Sequence, residues 1–173
     1  DRALPTSAVV LGARATASSA LAALGELGIV TSTVAARRFG GPGSVVAASS
    51  RLGVSIDQVL WSDHDAVLRA ISGADLVIST LPAGVADPLA EHMTVREGQI
   101  LLDVVYSPRE TALRSAFERN GGIVAEGTDM LVFQAAAQVQ LMTGRTPKTD
   151  VMRGALEAEL ARRARVSGGG AAS

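Results

Sequence analysis

The run SAVVLGARATASSALAALGEL, residues 7–27, constrains the fold more than any other stretch of the chain. Ala8, Val9, Val10 and Leu11 read as a fully buried strand. Gly12 turns the chain, and Ala17, Ala20, Leu21, Leu24 and Leu27 then recur at helical spacing. A strand that feeds a helix through a tight turn opens a parallel βαβ unit. It aims the free N–H groups and positive dipole end of the helix at the turn, where a phosphate is stabilised. Against the G-x-G-x-x-G/A fingerprint the chain reads Gly12, Ala13, Arg14, Ala15, Thr16, Ala17. The first glycine and the last small residue match, and Arg14 stands where a second glycine lets a pyrophosphate approach the backbone. Arg14 either crowds such a ligand through its Cβ or pairs with its phosphates through the guanidinium. By itself the motif serves a nucleotide site and a plain strand-to-helix turn equally well.

The rest of the chain continues the alternation. Gly28 reads as a helix cap and residues 30–36 as a short β-branched strand. The end of that strand bears on the cofactor: NAD sites place a carboxylate there for the ribose 2′-OH, whereas a 2′-phosphate needs cations. Arg37 and Arg38 occupy it, and no acidic residue falls between Ile29 and Asp57, so a dinucleotide bound here is expected to be NADP. A Gly/Pro-rich loop over 39–44 leads to a helix over 45–52 stopped by Gly53, and a short edge strand lies within 54–61. Asp63 is the expected N-cap of a helix over 66–71. A buried strand over 74–80 ends in Thr80 and a Leu-Pro-Ala-Gly turn, which is either a ligand rim or only a turn. A short helix over 87–93, a strand over 99–104, a helix over 110–118 and a strand over 123–125 follow. Gly127 sits at the junction with a helix over 129–142, where a backbone approaches a flat ring closely, and Gln134 and Gln138 share one face of that helix. Gly144 ends it, and a last helix runs from Thr149 or Asp150 to about Arg163. Six strands alternating with helices predict an α/β protein: a doubly wound parallel sheet with helices on both faces, plus C-terminal helices.

Composition narrows the function classes. With 47% hydrophobic but only 3% aromatic residues, the core must be built from Ala, Val, Leu and Ile, which suits helices packed on a parallel sheet. A net charge of −1 provides no field for gathering nucleic acid or an anionic membrane, so neither partner is expected. The absence of cysteine excludes disulfides, thiol nucleophiles and thiolate metal sites, and no metal is expected. No apolar run approaches the roughly 18 residues that span a bilayer. A cytoplasmic protein is the expectation. His64 and His92 read as solvent-facing residues of surface helices.

Four segments together resemble the C-terminal, NADP-binding domain of the shikimate dehydrogenase family, including its quinate-using branches. They are VLGARATASSALAAL at the first turn, STLPAG where the family has an Asn-Ala-Thr-Pro-like turn, DVVYSPRETAL, and GTDMLVFQAAAQVQLMTG followed by a helix. The resemblance covers nearly the whole chain and implies a Rossmann-like fold. It implies that Gly12, Ala13, Arg14, Ala15 and Thr16 cradle the pyrophosphate, that Arg37 and Arg38 hold the 2′-phosphate, and that Thr80 lies in the cofactor cleft. Val104 and Gly127 would flank the nicotinamide, and Tyr106 and Gln134 would reach a shikimate- or quinate-class substrate. The chain departs from the family at Arg14 and Ala15, where paired glycines are usual, and at Ala36, where an Asn is usual. The implied parent reaction is reversible reduction of 3-dehydroshikimate by NADPH in aromatic amino-acid synthesis. The family's catalytic Lys and Asp belong to an N-terminal domain of roughly 100 residues. Only residues 1–6 precede the first strand here, and the sole lysine, Lys148, lies beyond the motif helix, so no catalytic residue is expected in this chain. The expected plan is an NADP-binding domain over 1–144, a helix over 145–164 packing back toward a separate substrate domain, and a disordered tail over 165–173. Self-association or association with that substrate domain is the partner expectation. The alternative is a non-catalytic nucleotide-sensing or assembly module in which Arg14 closes the pyrophosphate site.

Overall fold

The computed structural model describes residues 3–168, which divide into two compact units between Ala125 and Glu126. The first unit holds strands β1 (Ala8–Leu11), β2 (Thr31–Ala36), β3 (Ser55–Leu60), β4 (Leu76–Ser79) and β5 (Ile100–Asp103), and the last strand, β6 (Ile123–Glu126), runs into the second. The sheet order is β3-β2-β1-β4-β5-β6. Every pairing from β3 through β5 is parallel. This is the doubly wound order expected, with β3 at the edge.

Helices α1 (Ala15–Glu26), α2 (Val45–Leu52), α3 (His64–Gly73), α4 (Asp87–Ala90) and α5 (Ala112–Arg119) cover the sheet. Strand alternation divides the apolar residues between its two faces. Val9, Leu11, Ala35, Val77 and Leu101 join Val67 and Ile71 of α3, Leu89 of α4, and Leu113 and Phe117 of α5 in one core cluster. Ala8, Val10, Val34, Leu76 and Ile78 join Ala17, Leu21 and Leu24 of α1 and Val45 of α2 in the other. β1 and β4 are therefore apolar at every core position because both faces are buried. Leu27 departs from the periodicity: it is the C-cap of α1 and half exposed, because the helix ends one residue before it. Local capping chemistry fixes the other boundaries. Ser44 accepts the Ala47 N–H to start α2 and Gly53, in the left-handed region, ends it. Asp63 accepts the Ala66 N–H at 3.0 Å, which starts α3 two residues before its expected first residue.

In the second unit α6 (Gly127–Thr143) ends at Gly144 and α7 (Thr149–Gly168) follows. An ion pair between Asp129 and Arg153 links the two helices. On α7, Arg162 and Arg163 bond the Glu159 carboxylate and hold its pKa down to about 2. α7 runs to Gly168, past the expected end at Arg163. Of the tail expected to be disordered, residues 169–173 lie outside the described residues.

A polar clasp ties the start of the chain to the amino end of the sheet. Asp75 Oδ2 accepts the Thr6 N–H at 3.0 Å, the Thr6 hydroxyl at 2.9 Å, the Ser7 N–H at 3.2 Å and the Ser7 hydroxyl at 3.0 Å. Arg96 reaches Oδ1 at 3.2 Å and also donates to the Ser72 and Ala74 carbonyls. The Thr6 N–H first, then the two hydroxyls and Arg96, hold the Asp75 carboxyl far below the ordinary carboxylate range. A depressed folded-state pKa contributes stability that is present above the unfolded value near 3.9 and lost as pH falls below it. Asp75→Asn is expected to lower stability at pH 7 by about 1 kcal/mol, the scale of a lost charged hydrogen bond at a partly exposed site. Unfolding titrations at pH 7 and pH 3 check this, since the difference from the parent chain should shrink at the lower pH.

Candidate nucleotide-binding rim

Register pairs Leu11 with Ala35 and with Ser79, and Ser79 with Asp103, so β1, β2, β4 and β5 end level. Gly12 to Thr16, Arg37, Arg38, Thr80 and Val104 consequently follow the strands onto one carboxyl rim. The strand order reverses between β1 and β4, the position where open α/β sheets leave a crevice.

The turn after β1 is locked from both neighbours. The Gly12 N–H donates to the Ala35 carbonyl at 2.8 Å on the β2 side. On the β4 side, the Thr80 N–H and hydroxyl both donate to the Leu11 carbonyl, at 2.9 and 2.8 Å. Gly12 has φ +110°, and a Cβ built on it would overlap the Thr80 hydroxyl oxygen. Glycine is required here twice over, by conformation and by space. Thr80 thus acts through its backbone lock on the turn, a role that its place after a strand did not reveal.

Beyond the turn, Arg14 is the extended N-cap of α1 and supplies no side-chain acceptor to the first turn, which contains no carboxylate. Arg14, Ala15 and Thr16 are exposed and Ala13 is half-buried. Ser18 Oγ donates to the Arg14 and Gly43 carbonyls, each at 3.3 Å, and the Val45 N–H donates to the Ala13 carbonyl at 3.3 Å. These bonds hold the 39–44 loop against the amino end of α1. Ser18 was not among the expected site residues; its helical spacing from Arg14 was the available signal. Arg37 and Arg38 are exposed just past β2, and neither they nor Arg14 form an ion pair among the described residues. Three exposed arginines thus follow β1 and β2 onto the rim beside a helix amino end whose first turn carries no carboxylate, residue types suited to phosphates.

At the other side of the rim the Val104 N–H donates to the Ser79 carbonyl at 3.1 Å, and Tyr106 is exposed. Ser79, Leu81, Asp87, Asp103 and Thr111 line a small half-open cleft there. In the second unit Gly127 is the buried first residue of α6, and Gln134 and Gln138 are both exposed on that helix. Lys148, His64 and His92 are exposed. Among the described residues no group of three or more His, Asp or Glu is placed to hold a metal, and no helix is long and apolar enough to cross a membrane.

Comparison with known proteins accords with this architecture. Residues 127–157, which cover α6 and the start of α7, match the model of the shikimate 5′-dehydrogenase C-terminal domain. An NADP(+) shikimate dehydrogenase of Moorella thermoacetica is 33% identical over 151 residues, 84% of this chain and 50% of that protein. The crystal structure of Mycobacterium tuberculosis shikimate dehydrogenase superposes with TM-score 0.74 at 36% identity, over 87% of this chain and 56% of that one. The chain is similar to the C-terminal domain of the shikimate dehydrogenase family. It spans about half the length of these relatives. A shikimate 5-dehydrogenase of Thermus thermophilus solved in complex with NADP(H) and shikimate is also similar, with TM-score 0.65 at 28% identity, over 91% of this chain and 54% of that one.

Gly12→Ala tests the lock at the family's first turn. The variant is expected to lose about 1–3 kcal/mol of stability from the strained backbone alone, and more from the displaced Thr80 hydroxyl. Denaturant unfolding measures the loss, and Gly28→Ala, where a Cβ meets nothing within 4 Å, serves as the control for positive φ without crowding.

Proposed function

We propose that this chain is the NADP-binding part of a shikimate dehydrogenase-type oxidoreductase. The observation that carries the reading is the pair of unopposed guanidinium groups, Arg37 and Arg38, at the end of β2 beside an α1 amino end free of carboxylates. Family members named as NADP(+) enzymes, and one holding NADP(H) and shikimate, support it. In this reading the backbone from Gly12 to Thr16 and the first turn of α1 take the pyrophosphate, and Arg37 and Arg38 take the 2′-phosphate. Arg14, exposed and in no ion pair among the described residues, pairs with the phosphates rather than filling the crevice. Thr80 holds the turn that shapes the cleft; in the first unit Val104 is the residue proposed for the nicotinamide and Tyr106 for a ring hydroxyacid of the shikimate or quinate class, and in the second unit Gly127 and Gln134 are proposed for the same two ligands.

When bound, the dinucleotide exchanges a hydride with the carbon that bears the ring alcohol. The chain's own residues anchor and orient it and keep the 2′-phosphate in register with the rim. The proton carrier for that alcohol must come within about 3 Å of it; the rim residues supply none, and a substrate domain toward which the helix over 145–164 packs would hold it. The domain over 1–144 is then the cofactor-binding part, and the protein is cytoplasmic.

Titration of the chain with NADPH and NADH is expected to give at least tenfold tighter binding of NADPH, the scale of one charged hydrogen bond. Arg37→Ala with Arg38→Ala should abolish the preference while leaving NADH binding in place. Equal binding of both dinucleotides by the parent chain overturns the cofactor assignment. Arg14→Gly separates the two readings of the turn. A tenfold or larger loss of NADPH affinity is expected for a phosphate ligand, whereas a gain means that Arg14 closes the site and favours the non-catalytic module. The chain alone should give no turnover of shikimate with NADP.

A further inference from the structure

We propose that Asp103 is a positioning residue: its buried carboxylate ties both ends of the loop over residues 104–111 and so fixes Tyr106 at the carboxyl rim. Asp103 closes β5 and is only 5% exposed. Its alternation with Leu101 places its side chain on the face of the sheet that packs against Leu113 and Phe117. A carboxylate is costly in such surroundings unless hydrogen-bonded, and an apolar side chain would suit packing alone.

The two oxygens are used separately. Oδ1 accepts the Val105 N–H at 3.2 Å, and Oδ2 accepts the Thr111 hydroxyl at 2.8 Å. The Thr111 oxygen in turn accepts the Arg114 N–H at 3.1 Å and caps α5. One carboxylate therefore joins the strand end, the first residues of the loop and the start of the next helix. Between these ties residues 106–110 are exposed and outside any helix or strand. Tyr106 is 41% exposed and its phenol has no hydrogen-bond partner among the described residues, so no hydrogen bond of its own fixes its position. The value of that placement rests on the proposed substrate role of Tyr106. The brace itself does not.

Tyr106 is the chain's single tyrosine, so its ring resonances report on this loop without further labelling. Asp103→Ala removes both ties, whereas Thr111→Gly removes only the one to the start of α5 and keeps a residue acceptable at a helix N-cap. Thr111→Ser keeps the hydroxyl. In both deletions the Tyr106 signals are expected to collapse toward those of a free side chain, with amide exchange at residues 105–110 about tenfold faster. Thr111→Ser should retain the parent signals. Unchanged Tyr106 signals in the two deletions, or a Thr111→Ser variant as disturbed as Thr111→Gly, would overturn the proposal. Thr111→Gly keeps the test decisive if Asp103→Ala fails to fold. All of these readings are taken without ligand, and a parallel NADPH titration of the parent chain separates failure of the cofactor reading from failure of the brace.

Discussion

The hydrogen bonds around the Leu11–Gly12 peptide are the constraint on which the rest of the rim depends. The Leu11 carbonyl takes two bonds from Thr80, and the Gly12 N–H gives one to Ala35, so three adjacent strands meet at one peptide unit. Strand pairing alone would align β2, β1 and β4 while leaving the turn after β1 free to splay. With both neighbours bonded to it, the turn can leave the sheet in one direction only, and α1 starts where its amino end faces the point at which the strand order reverses. The positive φ at Gly12 follows from the same geometry, since the Thr80 hydroxyl fills the volume that a side chain would need.

A second tier of bonds converts that fixed turn into a surface. Ser18 and Val45 draw the 39–44 loop onto the beginning of α1, which brings the segment after Arg37 and Arg38 under the same restraint. Phosphate recognition by guanidinium groups on a loose loop would lose much of its binding energy to ordering the loop. Under the proposed function the folded chain does this ordering beforehand. Replacing the usual glycine with Arg14 fits this plan, because the side chain stands exposed at the mouth of the turn and leaves the backbone behind it in its ordinary course.

Much of the fold was legible in the residues because local chemistry and global topology agree. The apolar runs at β1 and β4 can be satisfied only with both faces covered, and Ser44, Gly53, Asp63 and Gly144 start or stop helices by mechanisms visible in one dimension. The boundary errors are equally local. Leu27 carried the helical period into a cap, and α7 continues through residues 165–168, whose composition suggested a tail. The rim was legible in outline, since strand ends in a parallel sheet must share an edge. Its bracing was not: Thr80 to Leu11 and Ser18 to Gly43 span 69 and 25 residues, and Asp103 to Thr111, though near in sequence, matches no familiar turn or cap spacing. Such pairings are set by the tertiary fold.

The edge position of β3 carries a consequence for how copies of the molecule meet. Asp57 lies in the middle of that strand, opposite Thr33 and exposed, with Gln58 beside it. A neighbouring chain that tried to extend the sheet would have to strip water from this carboxylate without offering it a cation through backbone pairing. The open flank is thereby protected against runaway strand addition by one charge rather than by a covering helix.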